Sequence, residues 1–256
     1  MGIQVFEGLL AGQVAVVTGA GQGNGAAIAR GLAACGAQVV LSDMNAAAVE
    51  AVAADIRKDG GQAMALTFDV TDRAAVDAAA QTVREKYGPV AIVINNAGII
   101  ERMPIDDDDL LDSAERIWRV NAQGPLIVTR AFLDQLRETK GRVVNLASIC
   151  SFISYSAVTG YAASKGAVAQ LTKALAVELA ADGVRVNAIA PGVIATPMTR
   201  ETREDPDRLA AFVGQTPMGR IGEADELVGP VIFLSSEMSS YVTGTIIPVD
   251  GGYLCR

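Results

Sequence analysis

The sequence predicts an α/β fold with a doubly wound, seven-stranded parallel sheet and helices on both faces. Short β-branched runs alternate with longer segments of helical periodicity, which is the pattern of repeated βαβ units. The chain of 256 residues has no Pro/Ser-rich linker and no break in composition, so we expect residues 1–256 to form a single domain. Its 26 glycines and its low aromatic content of 5% suit close packing of helices on a sheet.

The strands and helices can be placed in chain order. Apolar runs predict strands at 14–17, 38–41, 63–66, 90–94, 143–147, 184–189 and 246–249. Apolar residues at helical spacing predict two buried helix faces, one at Val49, Val52, Ala53 and Ile56 and one at Val76, Ala80, Val83 and Tyr87. Right-handed crossovers then give a doubly wound sheet. Pro230 predicts a kink or a late helix start within 227–231.

A glycine-rich turn at residues 18–25 follows the first predicted strand and opens a helix. Gly19, Gly23 and Gly25 allow a dinucleotide pyrophosphate to approach the free N–H groups at the start of that helix. Asp43 ends the second strand, close to the ~20-residue spacing of an acid that binds the adenosine ribose. A carboxylate there repels a 2′-phosphate, and Gln22 in the turn offers no compensating charge. The sequence therefore predicts a Rossmann-type domain that prefers NAD to NADP.

Three residues further along can handle a proton. Tyr161 and Lys165 lie one turn apart if a helix begins near Thr159, so that the phenol and the ammonium point into one site. The lysine can stabilise a phenolate and bring the tyrosine pKa below its ordinary value of ~10. Ser148, at the end of the fifth strand, can hydrogen-bond a substrate oxygen. Tyr155 has no lysine four residues later, which indicates a packing or substrate-loop residue.

Composition excludes several classes of site. There is no histidine, which rules out a Ser-His-Asp triad and imidazole ligands. The three cysteines are scattered, so we expect neither disulfides nor a metal site. Their scatter also fits a reducing compartment. A net charge of −8 without a basic cluster argues against nucleic acid. Residues 1–7 lack the features of a signal peptide and no apolar run is long enough to span a membrane, which predicts a soluble cytoplasmic protein. The acidic run 106–109 is expected to be a solvated turn before a helix.

With these residues assembled, the chain resembles the short-chain dehydrogenase/reductase family over essentially its whole length, and most closely its sugar-alcohol and sugar-acid dehydrogenases. The resemblance implies a catalytic set of Asn121, Ser148, Tyr161 and Lys165, with Asn121 holding a water that links Lys165 to solvent. It implies cofactor contacts from Gly19, Gln22, Gly23, Asn24, Gly25, Asp43, Asp69, Val70, Asn95, Ala97, Gly98, Tyr161, Lys165, Pro191, Gly192, Ile194 and Thr196. Asn24 departs from the family, which usually has an aliphatic residue there; we expect altered packing without loss of cofactor binding.

The leading hypothesis is an NAD-dependent oxidoreductase that acts on a secondary alcohol or ketone of a small polyol, sugar or sugar acid. Residues 198–219 are expected to form a substrate lid, and a carboxylate could be bound by Arg102, Arg200, Arg203 or Arg208. The alternatives are a 3-oxoacyl-[acyl-carrier-protein] reductase, which Asp43 and the acidic balance disfavour, and a non-catalytic NAD-binding sensor or scaffold. The resemblance also implies a homotetramer built on long helices around 108–136 and 159–181.

Overall fold

A computed structural model describes residues 8–255 of the chain. The amino-terminal segment on which the signal-peptide argument rests lies outside these residues. Within them, seven parallel strands form one sheet in the order β3-β2-β1-β4-β5-β6-β7. This confirms the predicted fold class and the single domain.

The strands lie where the apolar runs predict them, with ends that differ by one or two residues. They are β1 Val14–Thr18, β2 Gln38–Asp43, β3 Gln62–Thr67, β4 Val90–Asn95, β5 Arg142–Leu146, β6 Arg185–Pro191 and β7 Ile246–Val249. Strand β6 extends two residues further, to Pro191, because Ala190 and Pro191 pair with Pro248 and Val249 of β7. Strand ends are set by such pairing, and a hydrophobic run alone does not record it.

Ten α-helices are found among the described residues. They are α1 Gly23–Ala34, α2 Ala46–Lys58, α3 Arg73–Tyr87, α4 Leu110–Trp118, α5 Gly124–Ala131, α6 Leu133–Thr139, α7 Thr159–Leu179, α8 Arg200–Glu204, α9 Pro206–Gln215 and α10 Val228–Ser235. Helix α7 begins at Thr159, as predicted. A 3-10 turn precedes α10, so that Pro230 falls in the first turn of the α-helix, where its missing N–H costs little. The predicted late start is confirmed.

The sheet separates two hydrophobic cores because side chains alternate along each strand. Val17 and Val39 face one core, which is completed by α1, α2 and α10. Val16 and Val40 face the other, which is completed by α3, α5, α6 and α7. The strand order reverses between β1 and β4, and in such sheets this point opens a crevice beyond the carboxyl ends of the strands.

The helical region 110–139 is interrupted where a single long helix was expected. Five residues, Arg119–Gln123, form a π-helical turn between α4 and α5. Such a turn is rare and often marks a functional position. Asn121 lies in it and is buried. The acidic run before α4 is exposed, with Asp109 at the start of the helix, as predicted.

Candidate active site

A cleft of about 340 Å3 opens at the crevice of the sheet. It is bounded by the glycine-rich turn, the ends of β2, β4, β5 and β6, and segment 198–219. Most of the predicted site residues line it: Gly19, Gln22, Gly23, Asn24, Asp43, Asp69, Val70, Ala97, Gly98, Ser148, Tyr161, Lys165, Pro191, Gly192, Ile194 and Thr196. The topology thus brings residues as distant in sequence as Gly19 and Thr196 to one surface.

Three predicted residues lie behind the cleft wall. A Cβ on Gly25 would lie 2.3 Å from the Gly19 carbonyl oxygen, so this glycine lets α1 pack against the turn and does not face the cleft. Asn95 is buried and donates to the Asn145 side chain at 2.8 Å, which joins the ends of β4 and β5. Asn121 is also enclosed. These residues support the site from behind.

The start of α1 fits the pyrophosphate of a dinucleotide. Gly19 and Gly23 have φ values of 63° and 54°, which favour glycine, and a Cβ on Gly19 would lie 2.8 Å from the Ala97 backbone. No side chain caps the helix and its first turn contains no acid, whereas Asn45 and Asp72 cap α2 and α3. The N–H groups and the positive end of α1 are therefore free for an anion.

Asp43 is fixed at the end of the cleft formed by β2 and the glycine-rich turn. Its two carboxylate oxygens accept hydrogen bonds from the backbone N–H groups of Gly21 and Asn45, both at 3.0 Å. Each oxygen keeps a lone pair for a ligand hydroxyl. The cationic side chains that line the described cleft are those of Arg102 and Lys165, away from Asp43. The Asp43 end therefore presents a negative charge.

Ser148, Tyr161 and Lys165 meet at the opposite end. The Lys165 ammonium is buried, donates to the Leu146 carbonyl oxygen at 2.7 Å, and lies 5.7 Å from the centre of the Tyr161 ring. The Ser148 hydroxyl accepts from the Cys150 N–H at 3.1 Å. Ser151 Oγ donates to the Lys165 carbonyl oxygen at 2.7 Å, which ties α7 to the loop after β5.

Burial dominates the titration of these groups. It raises the pKa of Tyr161 to about 12, although a hydrogen bond with Ser148 and the charge of Arg102 act in the opposite direction. Burial also lowers the pKa of Lys165 to about 8. The expectation that Tyr161 titrates below its ordinary value is therefore wrong for the chain by itself. The physical reason is that the phenolate is desolvated and the ammonium is directed to a backbone carbonyl.

The side chain of Asn121 joins three elements. Its Oδ1 accepts from the Ile99 N–H at 2.8 Å, and its Nδ2 donates to the Ile99 carbonyl oxygen at 2.9 Å. Nδ2 also donates to Ser164 Oγ at 3.1 Å, and Ser164 directly precedes Lys165. The amide therefore links the π-turn, the loop that follows β4 and helix α7. Its role in a water relay stays a prediction.

Comparisons with known proteins show the family of the chain. A model of the family described as enoyl-(acyl carrier protein) reductase matches residues 19–254. The galactitol 2-dehydrogenase (L-tagatose-forming) of Cereibacter sphaeroides is 44% identical over 253 residues, which cover 95% of this chain and 96% of that protein. The chain belongs to the short-chain dehydrogenase/reductase family. It is an oxidoreductase that acts on CH–OH groups.

Two further relatives of this short-chain dehydrogenase/reductase are informative. The 5-keto-D-gluconate 5-reductase of Escherichia coli K12 is 38% identical over 250 residues, which cover 96% of each chain. The crystal structure of a gluconate 5-dehydrogenase from Burkholderia cenocepacia, in complex with NADP and tartrate, has a TM-score of 0.94 and 35% identity and covers 99% of each chain. The three relatives named here carry the names of dehydrogenases or reductases of a sugar alcohol or a sugar acid.

Of the four arginines proposed from the sequence, Arg102 is the one that lines the cleft. Arg203 donates to the Thr196 carbonyl oxygen at 3.0 Å, Arg208 pairs with Asp205 at 3.0 Å, and Arg200 is exposed on α8. None of these three lines the cleft in the described structure. Of the four candidates, the structure therefore favours Arg102, which comes from the loop after β4.

Arg102 belongs to residues 98–103, which follow β4. Gly98, Ile99, Ile100 and Arg102 of this segment line the cleft. Glu101 accepts two hydrogen bonds from Arg116 of α4, at 2.7 and 3.2 Å. The hydrogen bonds from Arg116 lower the pKa of the Glu101 carboxyl. Arg102 itself has no ion pair among the described residues, and its guanidinium keeps free donors.

Tyr155 lies in the wall of the cleft and has no cation one turn later, as predicted. Its ring makes edge contacts with Phe212 of α9 and Tyr253, with centroids 5.1 and 6.3 Å apart. Burial raises its pKa, and the Tyr253 hydroxyl adds to the increase. This arrangement suits a packing residue and not a proton carrier.

Sequence reasoning missed several residues of the cleft. Cys150, Thr202 and Phe212 line it, and Asn96 supports the glycine turn by donating to the carbonyl oxygens of Thr18 and Gly19 at 2.9 Å. Asn96 could have been found from its place beside Ala97. The other three carry no local signal, because their roles depend on which distant elements they meet.

No group of three or more histidine, cysteine, aspartate or glutamate residues that could hold a metal ion is present among residues 8–255. No helix in this part of the chain is long and apolar enough to cross a membrane.

Proposed function

We propose that the protein is an NAD-dependent dehydrogenase that oxidises a secondary alcohol of a small polyol, sugar or sugar acid, or reduces the corresponding ketone. The observation that carries the proposal is the meeting of Ser148, Tyr161 and Lys165 with one unpaired guanidinium, that of Arg102, in a single cleft. The names of the relatives support the same substrate class.

The chain's own residues supply proton transfer and orientation. In oxidation, Tyr161 accepts the proton of the substrate hydroxyl, and Ser148 hydrogen-bonds the same oxygen and holds it near the phenol. Lys165 supplies a positive charge beside the tyrosine and would hold the nicotinamide ribose when the cofactor is bound. When bound, NAD supplies the hydride acceptor. The buried position of Tyr161 and Lys165 excludes bulk water from the transfer.

The preference for NAD rests on Asp43. Its carboxylate is held by two backbone N–H groups and has no cation beside it along the described cleft, so that a 2′-phosphate would meet an uncompensated negative charge. The relative from Burkholderia cenocepacia was crystallised with NADP. The preference of this protein between NAD and NADP is therefore the first property to measure.

The wild type is compared with Asp43→Ala for kcat/KM and for dissociation of both cofactors. We expect the wild type to favour NAD by at least tenfold, and Asp43→Ala to lose about 2 kcal/mol of NAD binding and most of the discrimination. Equal efficiency of the wild type with NAD and NADP would contradict the proposal.

The substrate class is tested with a panel of neutral polyols and aldonates, read by NADH absorbance. We propose that Arg102 binds the carboxylate of a sugar acid by bidentate hydrogen bonds and that segment 198–219 is the lid of this site. Arg102→Ala should then raise KM for aldonates and leave KM for neutral polyols unchanged, whereas Arg208→Ala, which changes an arginine outside the cleft, should change neither KM.

The two alternative functions have different signatures. A 3-oxoacyl-[acyl-carrier-protein] reductase would need NADPH and a basic docking surface; the negative charge at Asp43 and the net charge of −8 disfavour it. A non-catalytic sensor would bind NAD and give no turnover with any member of the panel. The complete Ser148, Tyr161 and Lys165 set disfavours that reading.

We also propose that the protein is a homotetramer that works in the cytoplasm. Leu111, Trp118 and Leu126 are 79%, 44% and 47% exposed on α4 and α5. Residues 111 and 118 are seven apart and share one helix face, which suits contact with a second copy. Light scattering at the monomer mass would refute this assembly.

A further inference from the structure

The segment 198–219 is held on the protein with little hydrophobic burial. The structure describes all of its residues, and Thr202 is the one that is buried, with 2% of its surface exposed. Met198 and Met218 are 46% and 63% exposed. Because apolar burial is the main source of local stability, the position of this segment depends on polar and ring contacts.

The buried residue is bound to the arginine of the cleft. Arg102 Nη2 donates a hydrogen bond of 3.0 Å to Thr202 Oγ1, across 100 positions of sequence. Thr202 lines the cleft beside Arg102 and is the buried residue of α8. The contact therefore joins segment 198–219 to the place where we propose that a substrate carboxylate binds.

The backbone that carries Arg102 is fixed, so the bond has a rigid base. The N–H and the carbonyl oxygen of Ile99 both hydrogen-bond the side chain of Asn121, and the Glu101 carboxylate accepts from Arg116. The Met103 N–H donates to the Ala157 carbonyl oxygen at 2.8 Å. The remaining freedom at this position is that of the long arginine side chain, and Thr202 restricts it.

We propose that Thr202 is a positioning residue for substrate recognition. Its hydroxyl orients the Arg102 guanidinium for a substrate carboxylate. The same hydrogen bond holds segment 198–219 against the cleft, so the position of this segment depends on Arg102. The inference rests on the proposed role of Arg102 in binding a carboxylate. A guanidinium fixed in advance loses less side-chain freedom when the anion binds, and its unused N–H donors still face the cleft.

The test uses three substitutions in the full-length protein. Thr202→Val removes the hydroxyl and keeps the shape, and Thr202→Ser restores the hydroxyl. Thr216→Val is the matched control, because Thr216 Oγ1 donates to the Phe212 carbonyl oxygen at 2.8 Å within the same segment. Hydrogen exchange of the amides of 198–219 is measured without ligand, and kcat and KM are measured with D-gluconate and galactitol at saturating NAD.

We expect Thr202→Val to speed exchange in 198–219 on the order of tenfold and to raise KM for D-gluconate by a similar factor, with kcat and the KM for galactitol little changed. Thr202→Ser and Thr216→Val should match the wild type. Equal exchange in the wild type and Thr202→Val overturns the proposal. Faster exchange with an unchanged ratio of the two KM values overturns the role in recognition.

Failure of the proposed function gives a different result. If neither compound is oxidised, or if Arg102→Ala treats both compounds as the wild type does, the carboxylate site is wrong. Hydrogen exchange in the ligand-free protein still decides whether Thr202 seats the segment.

Discussion

Two tyrosines near the cleft differ in what surrounds their hydroxyl groups. Tyr161 has the Lys165 ammonium near its ring and a hydrogen bond with Ser148, whereas Tyr155 packs against Phe212 and Tyr253. The sequence does not show what surrounds either hydroxyl group. It does show that Tyr161 has a lysine four residues later and that Tyr155 does not, and this distinguishes the two. The structure agrees with that separation.

Tyr161→Phe should therefore abolish turnover and leave NADH binding nearly intact, since the ring still fills its place and the phenolic oxygen alone is lost. Tyr155→Phe should retain turnover. The two variants are compared by steady-state kinetics and by fluorescence titration with NADH. Near-wild-type kcat in Tyr161→Phe would show that another group carries the proton.

Arg102 has an effect on chemistry that is separate from binding. Its positive charge lowers the pKa of Tyr161 and opposes the increase that burial causes. Removing the charge should raise this pKa, so that the phenolate forms at higher pH. For oxidation of a neutral polyol, the rising part of the pH profile of kcat/KM should move to higher pH in Arg102→Ala.

Arg102→Lys keeps the charge and should restore the position of the wild-type profile. The neutral substrate separates this effect from the loss of a carboxylate contact. Superimposable profiles for the wild type and Arg102→Ala would mean that the guanidinium acts on binding alone.

At the scale of elements, helix α7 contains a residue that costs stability. Burial lowers the pKa of Lys165 from 10.5 to about 8, so the folded protein pays to keep the ammonium charged below that pH. The shift corresponds to about 3 kcal/mol, and replacement would lose a hydrogen bond to Leu146 worth about 1 kcal/mol. Lys165→Met should therefore raise the free energy of unfolding by about 2 kcal/mol at pH 7, and it should lose activity.

This gain corresponds to a rise in Tm of roughly 5 °C at pH 7. The penalty is complete below the folded pKa of about 8 and disappears as pH rises through the ordinary value of 10.5. The difference in Tm between the two proteins should therefore shrink between pH 8 and pH 10.5. Calorimetry over this range checks both the sign and the window.

The elements show what a sequence can and cannot predict. The βαβ alternation and the strand-turn-helix at Gly19 are local patterns, and they placed the seven strands and the start of α1. The π-turn at Asn121 left no local pattern, because helical propensity is similar for α and π geometry over five residues. The direction of the Tyr161 pKa was also missed, since it depends on burial by residues distant in sequence.

At the scale of the whole molecule, the exposed apolar face of α4 predicts an assembly. Leu111→Asp places a charge at a position that is 79% exposed in the monomer and should therefore fold normally. If this face contacts a second copy, the variant should sediment as a smaller species. Ala74→Asp, which adds the same charge on exposed α3, should keep the wild-type mass.

Sedimentation or light scattering of the two variants compares the same chemical change on two helices. Equal masses for Leu111→Asp, Ala74→Asp and the wild type would place the contact between copies elsewhere or show that none exists.

The π-turn at 119–123 also holds one residue more than an ordinary α-helical turn, because its hydrogen bonds span five residues instead of four. Deleting one residue there would restore an ordinary α-helix and leave the rotation of the next segment nearly unchanged. Val128, Phe132 and Leu136, which are fully buried, would keep their places against the sheet, whereas the amide of Asn121 would be displaced from Ile99. Such a deletion should therefore spare the hydrophobic core and disturb the candidate site.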